Sequence, residues 1–278
     1  MAAGTLTAYP GLVTPQPQGL RRPRRPGVSA ILRTLGPVAL IGGWWIASAT
    51  GVLNPAVLAS PAAVAKAGWQ LWTSGQLSAA LEVSLGRALL GLFFGVSAGL
   101  ILGVITGFSR LGEELLDSPL QLLRALPFLS LVPLFMVWFG IGESARVILI
   151  AVATAFPMYV STAGGVRAVD PKLVEAMRAF GLRRLALVRE VVLPGALPAL
   201  LSGLRLSMTL SVIALIAAEE INTTSGIGYL MNQAQSYSRT DILTVCILIY
   251  GALGLVADLI ARLLERLLMP WRPGKARR

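Results

Sequence analysis

Glu175-Ala176-Met177-Arg178-Ala179-Phe180-Gly181, followed by Val191-Val192-Leu193-Pro194, lies in a basic stretch with a membrane-length apolar segment on either side. Upstream, Asp170-Pro171 is a helix-start signal: the Asp side chain can accept a free backbone N–H, and Pro fits the first helical position. Gly181 is the matching stop, because glycine takes the left-handed conformation that closes a helix. Between them Leu173, Met177 and Phe180 share one face, with Glu175 and Arg178 elsewhere on the circumference. So short a helix does not fold alone, so its apolar face must pack against a partner. Residues 170–194 therefore read as a helical hairpin built to dock, placed between two membrane spans.

Composition requires the membrane independently. Of 278 residues 55% are hydrophobic and 13% charged, against about 25% charge in soluble domains, and mean hydropathy is +0.73. Windows free of charge run 34–65, 88–109, 125–142, 147–166 and 242–257, and 191–218 is broken only by Arg205. About 20 apolar residues cross the hydrocarbon core. The expected fold is an all-α membrane protein of six transmembrane helices, near 35–50, 88–107, 125–142, 146–164, 197–218 and 242–262, with the hairpin between helices four and five. Most of the 24 Lys and Arg residues fall before span one, between four and five, or after six, so both termini are expected in the cytoplasm. The net charge of +11 is then a topology signal and an attraction to anionic lipid. Nucleic-acid binding is excluded, because the arginines are scattered over separate loops without a soluble module. Residues 1–33 read as a disordered basic tail, 34–270 as the transmembrane domain and 271–278 as a second basic tail. Ala47-Ser48-Ala49 imitates a signal-peptidase site, but cleavage there would contradict the charge distribution, so span one is expected to be retained.

Catalysis by this chain is not expected. It has no His, one Cys and no phosphate-binding loop; Gly274-Lys275 lacks both the first glycine and the hydroxyl residue of that motif. No cofactor or metal is expected. Cys246 reads as a small buried apolar residue. Glu219-Glu220, beside Asn222, Thr223 and Thr224, reads as a solvated boundary at the end of a span. Arg205 is the deepest charge; it either snorkels back to the interface, holds a neighbouring helix or lines the pathway. With Ser130 and Thr209 it forms the candidate pathway or helix-packing set. Asp258 has Arg262 one turn later, a local pair. Pro127, Pro133 and Pro157 predict kinks or local unwinding in spans three and four. Ser60-Pro61 starts an outer helix whose Trp69 and Trp72 suit the water–lipid boundary rather than a sugar-stacking platform. The loop 219–241 ends too apolar for a free loop at Gly226-Ile227-Gly228-Tyr229-Leu230, and so either dips back into the protein or caps the pathway.

The hairpin resembles the cytoplasmic signature of permease subunits in bacterial ATP-binding-cassette (ABC) importers: Glu-Ala-Ala, three residues, Gly, nine residues, Ile-x-Leu-Pro. Glu175, Ala176, Gly181, Leu193 and Pro194 match; Val191 replaces the Ile and Met177 departs from the second Ala. Ser60-Pro61, Ser84-Leu85-x-Arg87, Leu126-Pro127 through Pro133-Leu134, Trp138 to Glu143, Gly203-Leu204-Arg205 and Gly226-Ile227-Gly228-Tyr229 look like the permeases for aliphatic sulfonates, taurine, nitrate and related small anions. The resemblance implies a bacterial inner-membrane importer of two permease copies, two ATPase subunits and an extracytoplasmic binding protein. It implies ATPase docking by Glu175, Ala176, Met177, Arg178, Gly181, Leu193 and Pro194, and an outer gate loop at Gly226 and Gly228. An organic sulfonate is the expected cargo, ahead of taurine, nitrate or bicarbonate and a thiamine precursor. A channel or an ion-coupled secondary transporter is the competing reading, and such a transporter would show internal repeats and midplane acids.

Overall fold

Ser60 accepts the Ala63 N–H through its hydroxyl and Pro61 fills the first turn, which starts a helix where sequence expects one. That element belongs to a computed structural model that describes residues 26–109, 114, 128–140, 142–221 and 223–269. Among these residues all regular structure is helical: α1 (Pro26–Ala49), α2 (Pro61–Thr73), α3 (Gln76–Phe108), α4 (Phe128–Phe139), α5 (Glu143–Arg167), α6 (Pro171–Ala179), α7 (Arg184–Leu187), α8 (Leu193–Glu220), α9 (Ile227–Ser236) and α10 (Thr240–Leu268), with a π turn at Val188–Val192.

Among the described residues, four stretches are long and apolar enough to cross a bilayer: Gln76–Phe108, Glu143–Arg167, Val188–Glu220 and Thr240–Leu268. Expected spans one and three appear as shorter apolar helices, Leu35–Ala49 and Ser130–Phe139. α1 starts at Pro26, inside the expected tail; residues 1–25, 270–278 and Pro127 lie outside the described residues. Helix α3 begins well before residue 88, where the charge-free window opens, because Arg87 is neutralised by partners distant in sequence.

A ridge of glycines at every fourth position joins α3 to α5. A Cβ on Gly91 would stand 2.5 Å from the Ile150 side chain and one on Gly103 2.5 Å from Thr162 Cβ; one on Gly95 or Gly99 would overlap backbone carbonyls of Ala151 or Ala155. Small residues at this spacing let two backbones approach closely, the usual source of helix association where lipid is as apolar as Leu. Residues rise together along the two helices, so α3 and α5 run parallel and the chain between them, including α4, returns from one end of the bundle to the other. Helix α8 runs antiparallel to α5: Ser207 Oγ donates to the Thr154 carbonyl at 2.8 Å, and a Cβ on Gly203 would meet Ser161 at 2.5 Å. Leu149, Ile150, Leu215, Ile227 and Cys246 fill the centre with no exposed surface.

Two of the three prolines expected to kink or unwind spans three and four lie inside described helices. Helices α4 and α5 continue through Pro133 and Pro157. The irregular turn precedes Pro194, where the Leu193 N–H reaches back to the Val188 carbonyl. Pro194 has no N–H to continue a regular ladder, and a wider turn re-pairs the carbonyls before it.

Candidate functional site

Among the described residues, one charge cluster joins helices at an end of the bundle and another nearer its middle. At the end where α3, α5 and α10 start and α8 stops, Glu219 is completely buried. Its carboxylate accepts from Ser84 Oγ at 2.7 Å, Arg87 Nη1 at 2.6 Å, the Gly228 N–H at 3.0 Å and the Tyr250 hydroxyl at 2.9 Å. Those partners come from α3, α9 and α10. Arg87 is equally enclosed, and each of its N–H groups has an acceptor. Nε and Nη2 grip Glu143 at 2.6 and 2.5 Å, Nη1 divides between Glu219 and the Ser225 carbonyl, and Nη2 also reaches Ser225 Oγ. Glu143, the outward arm, has 57% of its side chain exposed and also pairs with Arg146 at 3.1 Å.

This corrects the reading of Glu219-Glu220 as a solvated boundary. Consecutive helical residues point about 100° apart; Glu219 turns inward and Glu220 stays exposed. The loop 219–241 is also more ordered than expected. Helix α8 runs through Glu220, and α9 dips back with Ile227 and Leu230 buried. Gly226 and Gly228 make that return possible. Gly226 has φ +95°, and a Cβ there would lie 2.6 Å from Glu219 Oε1 and 2.7 Å from Arg87 Nη1; one on Gly228 would collide with Glu219.

Toward the other end, Arg205 pairs with a neighbouring helix, and its side chain is 38% exposed. Its guanidinium bonds Asp258 on α10, with Nε at 2.9 Å and Nη2 at 2.7 Å from Oδ1, and Glu265 lies 4.0 Å away. Asp258 also accepts from Arg262 at 2.7 Å, so the expected local pair is half of a bridge between two helices. Ser130 and Thr209 are exposed, and Thr209 Oγ1 donates to the Arg205 carbonyl of its own helix. Trp69 and Trp72 are exposed beside an apolar groove between α2 and α10.

The hairpin residues stand apart from both charge clusters. Asp170 Oδ1 accepts the Lys172 N–H at 2.9 Å, and Gly181 has φ +87°. Leu182 N–H bonds the Met177 carbonyl and Gly181 N–H that of Arg178, which closes α6 in a double C-terminal cap. Nothing in α6 is buried: Leu173 is 45% and Phe180 81% exposed, Met177 is half-buried, and Glu175, Ala176, Arg178 and Gly181 are exposed. Leu187, Val191 and Val192 are buried and anchor the second half, with Leu193 and Pro194 exposed at the start of α8.

Residues 95–269, from within α3 to just past the end of α10, match the family described as binding-protein-dependent transport system inner membrane component. The chain belongs to that family. It is 46% identical over 238 residues to the aliphatic sulfonates transport permease protein SsuC of Escherichia coli K12, covering 86% of this chain and 90% of that one. The SsuC protein of Bacillus subtilis 168 is 36% identical, covering 91% of each. The taurine transport system permease protein TauC of Escherichia coli K12 is 33% identical, covering 86% and 89%. Among solved structures, an amino acid ABC transporter superposes with a TM-score of 0.59 at 20% identity over 71% of this chain and 96% of that one. The inward-facing MetNI methionine ABC transporter gives 0.54 at 22% over 69% and 97%. The fold is that of an ABC transporter permease. As an importer permease the chain is not itself an enzyme; ATP is hydrolysed by separate ATPase subunits, and a substrate-binding protein delivers cargo.

The sequence reading missed the Glu219 cluster. Its signal was helical phase: Ser207, Ser211 and Leu215 are buried at steps of four, and the next step is residue 219.

Proposed function

We propose that this permease carries an organic sulfonate, most simply an alkanesulfonate, across the bacterial inner membrane. The observation that carries the cargo is the 46% identity to the aliphatic sulfonates permease SsuC over 86% of the chain, against 33% to the taurine permease TauC. Two copies of the chain assemble with two ATPase subunits, residues 34–270 form the transmembrane domain with six spans, and residues 1–33 and 271–278 are tails that lie, with both termini, in the cytoplasm. Support for six crossings comes from the parallel course of α3 and α5, which demands a return between them, and from the apolar helices Leu35–Ala49 and Ser130–Phe139.

The hairpin of residues 170–194 docks the ATPase. Its uncovered face, Leu173, Met177 and Phe180, is supported by the exposure of α6 and by anchoring at Leu187, Val191 and Val192. Glu175, Ala176, Met177, Arg178 and Gly181 form the contact, and Leu193 and Pro194 join it to α8. When ATP draws the two ATPase subunits together, the docked hairpins move and the spans alternate between inward- and outward-facing states. Gly226 and Gly228 place α9 over the outer side of the pathway. A strain lacking this gene fails to grow on an alkanesulfonate as sole sulfur source, and the gene with its partners restores growth. Normal growth there, with loss of taurine or nitrate uptake, reassigns the cargo.

A further inference from the structure

We propose that the exposed stripe of α8 from Ser202 to Ile213 lines the water-filled translocation pathway, and that Arg205 at its edge binds the anionic head of the cargo in transit. The proposal rests on the importer reading and deepens it.

Helix α8 exposes Ser202, Leu206, Thr209 and Ile213, which follow one another at steps of four, three and four and so share one face. The long exposed faces of α3 and α10 differ. From Leu89 to Phe108 and from Ile247 to Ile260 no exposed residue carries a polar side chain, as suits contact with lipid. A face that alternates hydroxyl and aliphatic groups, with a guanidinium at its edge, suits water and an amphiphilic organic anion. Ser202 Oγ donates to the Pro198 carbonyl at 2.9 Å and Thr209 Oγ1 to that of Arg205 at 3.1 Å, which leaves each oxygen able to accept from water.

Arg205 lies about 18 Å along α8 from Leu193, in a helix about 42 Å long. A charge at that depth is costly against lipid and persists where it faces protein or a water-filled cavity. Arg87 shows the first solution, enclosed with every N–H group bonded. Arg205 is 38% exposed and only partly engaged. Its Nε and Nη2 share one oxygen of Asp258, whose other oxygen is taken by Arg262. Nη1 makes no hydrogen bond among the described residues, the Glu265 carboxylate standing 4.0 Å away. A sulfonate brings three acceptor oxygens, and a planar guanidinium with free N–H groups matches such an oxyanion. The two carboxylates compete for the same cation and keep its grip loose, and a site on a pathway must release as readily as it binds. Leu206 and Ile213, each about half exposed, offer the same face to the aliphatic part of the cargo.

The test uses the assembled importer in lipid nanodiscs, open to reagent from both faces, with Ser202→Cys, Thr209→Cys or Leu259→Cys as the single cysteine in a Cys246→Ala background. Two methanethiosulfonate reagents of similar size are compared, one ending in an ethanesulfonate anion and one in a trimethylammonium cation. Positions 202 and 209 are expected to react about tenfold faster or more than 259, on the apolar face of α10, because the reactive thiolate forms in water and not in lipid. At Thr209→Cys, Arg205→Gln is expected to lower the anion-to-cation rate ratio about fivefold or more, since a unit charge one helical turn away acts with opposite sign on the two reagents. Arg205→Lys is expected to keep that ratio. Reaction at 202 and 209 no faster than at 259 overturns the pathway assignment, and a ratio unchanged in Arg205→Gln overturns the role of the guanidinium. Alkanesulfonate uptake by proteoliposomes is expected to fall about tenfold or more in Arg205→Gln, through loss of a charged hydrogen bond, and to hold in Arg262→Gln, which pairs with the same Asp258 from α10 itself. Wild-type uptake by Arg205→Gln overturns anion binding there. A wild type that takes up no alkanesulfonate removes the cargo alone, and the labelling then decides the stripe.

Discussion

Gly95→Ala adds one methyl group, and the structure says what it meets. The new Cβ overlaps the Thr154 side-chain Oγ1 and the Ala151 carbonyl oxygen and lies 3.0 Å from the Ala151 carbonyl carbon, the last two being backbone atoms of α5. Rotation of the Thr154 hydroxyl would not relieve the clash with the Ala151 carbonyl, which is backbone, so α3 and α5 must part by roughly 1 Å to restore contact distances near 3.5–4.0 Å. A gap of that size forfeits about a quarter to a half of each pair contact along the ridge from Gly91 to Gly107. Spread over a few dozen atom pairs at about 0.1–0.2 kcal/mol each, the loss is about 2–3 kcal/mol, within the range for overpacked cores. Gly86→Ala on the same helix is the control, because nothing lies within 4 Å of its Cβ; it is expected to be neutral or to gain up to about 1 kcal/mol from helix propensity. At about 2–4 °C per kcal/mol the two variants differ in thermal midpoint by roughly 5–15 °C. Cys246, the single cysteine and fully buried, reports the transition through reaction with a thiol-sensitive dye as the helices separate. Equal midpoints for the two variants would refute the close-packed ridge.

Gly181→Val has open space around its new side chain but a φ of +87°, so it strains the backbone by about 1 kcal/mol or more; amounts in the membrane stay normal, transport is lost and ATP hydrolysis no longer responds to the binding protein. Wild-type transport by that variant removes the docking assignment of the hairpin. Asp258→Asn takes the anion from between Arg205 and Arg262, so it lowers the thermal midpoint more than Arg262→Gln does; the reverse order removes Arg205 from the bridge. Single cysteines at Ser74, Lys172 and Asn232, in a Cys246→Ala background, are labelled from outside by an impermeant thiol reagent at 74 and 232 only. Labelling of position 172 in intact cells inverts the proposed topology.

The elements that were legible are those whose cause is local. Ser60-Pro61 and Asp170-Pro171 announce helix starts because a cap and a proline act on the next turn, and Gly181 announces a stop because its φ is a property of one residue. The start of α3 was hidden because a charge-free window ends at Arg87, whereas in the fold that charge is cancelled by Glu219, a residue on another helix far along the chain. The burial of Glu219 was hidden for a different reason. In a membrane helix the faces toward lipid and toward protein are both apolar, so hydrophobic periodicity carries little phase, and α8 reads as greasy all round. What does carry phase there is small and polar residues: Ser207 and Ser211 on α8, and the glycines at 91, 95, 99, 103 and 107 on α3, which mark the packed faces without reference to hydropathy. Ser84-Leu85-x-Arg87 and Gly226-Ile227-Gly228 could each be picked out of the chain, but that they meet at one carboxylate is a tertiary fact.

The placement of these contacts bears on how force would travel through the subunit. If α6 docks an ATPase, its displacement enters through α7 and the π turn, where Leu187, Val191 and Val192 are buried, and passes directly into α8 at Leu193. Helix α8 has 28 residues, about 42 Å at 1.5 Å per residue, and ends at the Glu219 cluster. Along that length it is held to α5 by Gly203, Gly165 and the Ser207 hydroxyl, and to α10 by Arg205 at its middle and by Glu219 with Tyr250 near the end. A helix tied to α10 by one charge pair at its middle and by Glu219 at its end cannot slide past its neighbours without breaking both. A push at the hairpin therefore tilts the whole packed unit, and a few ångströms at Gly181 reach the α9 end.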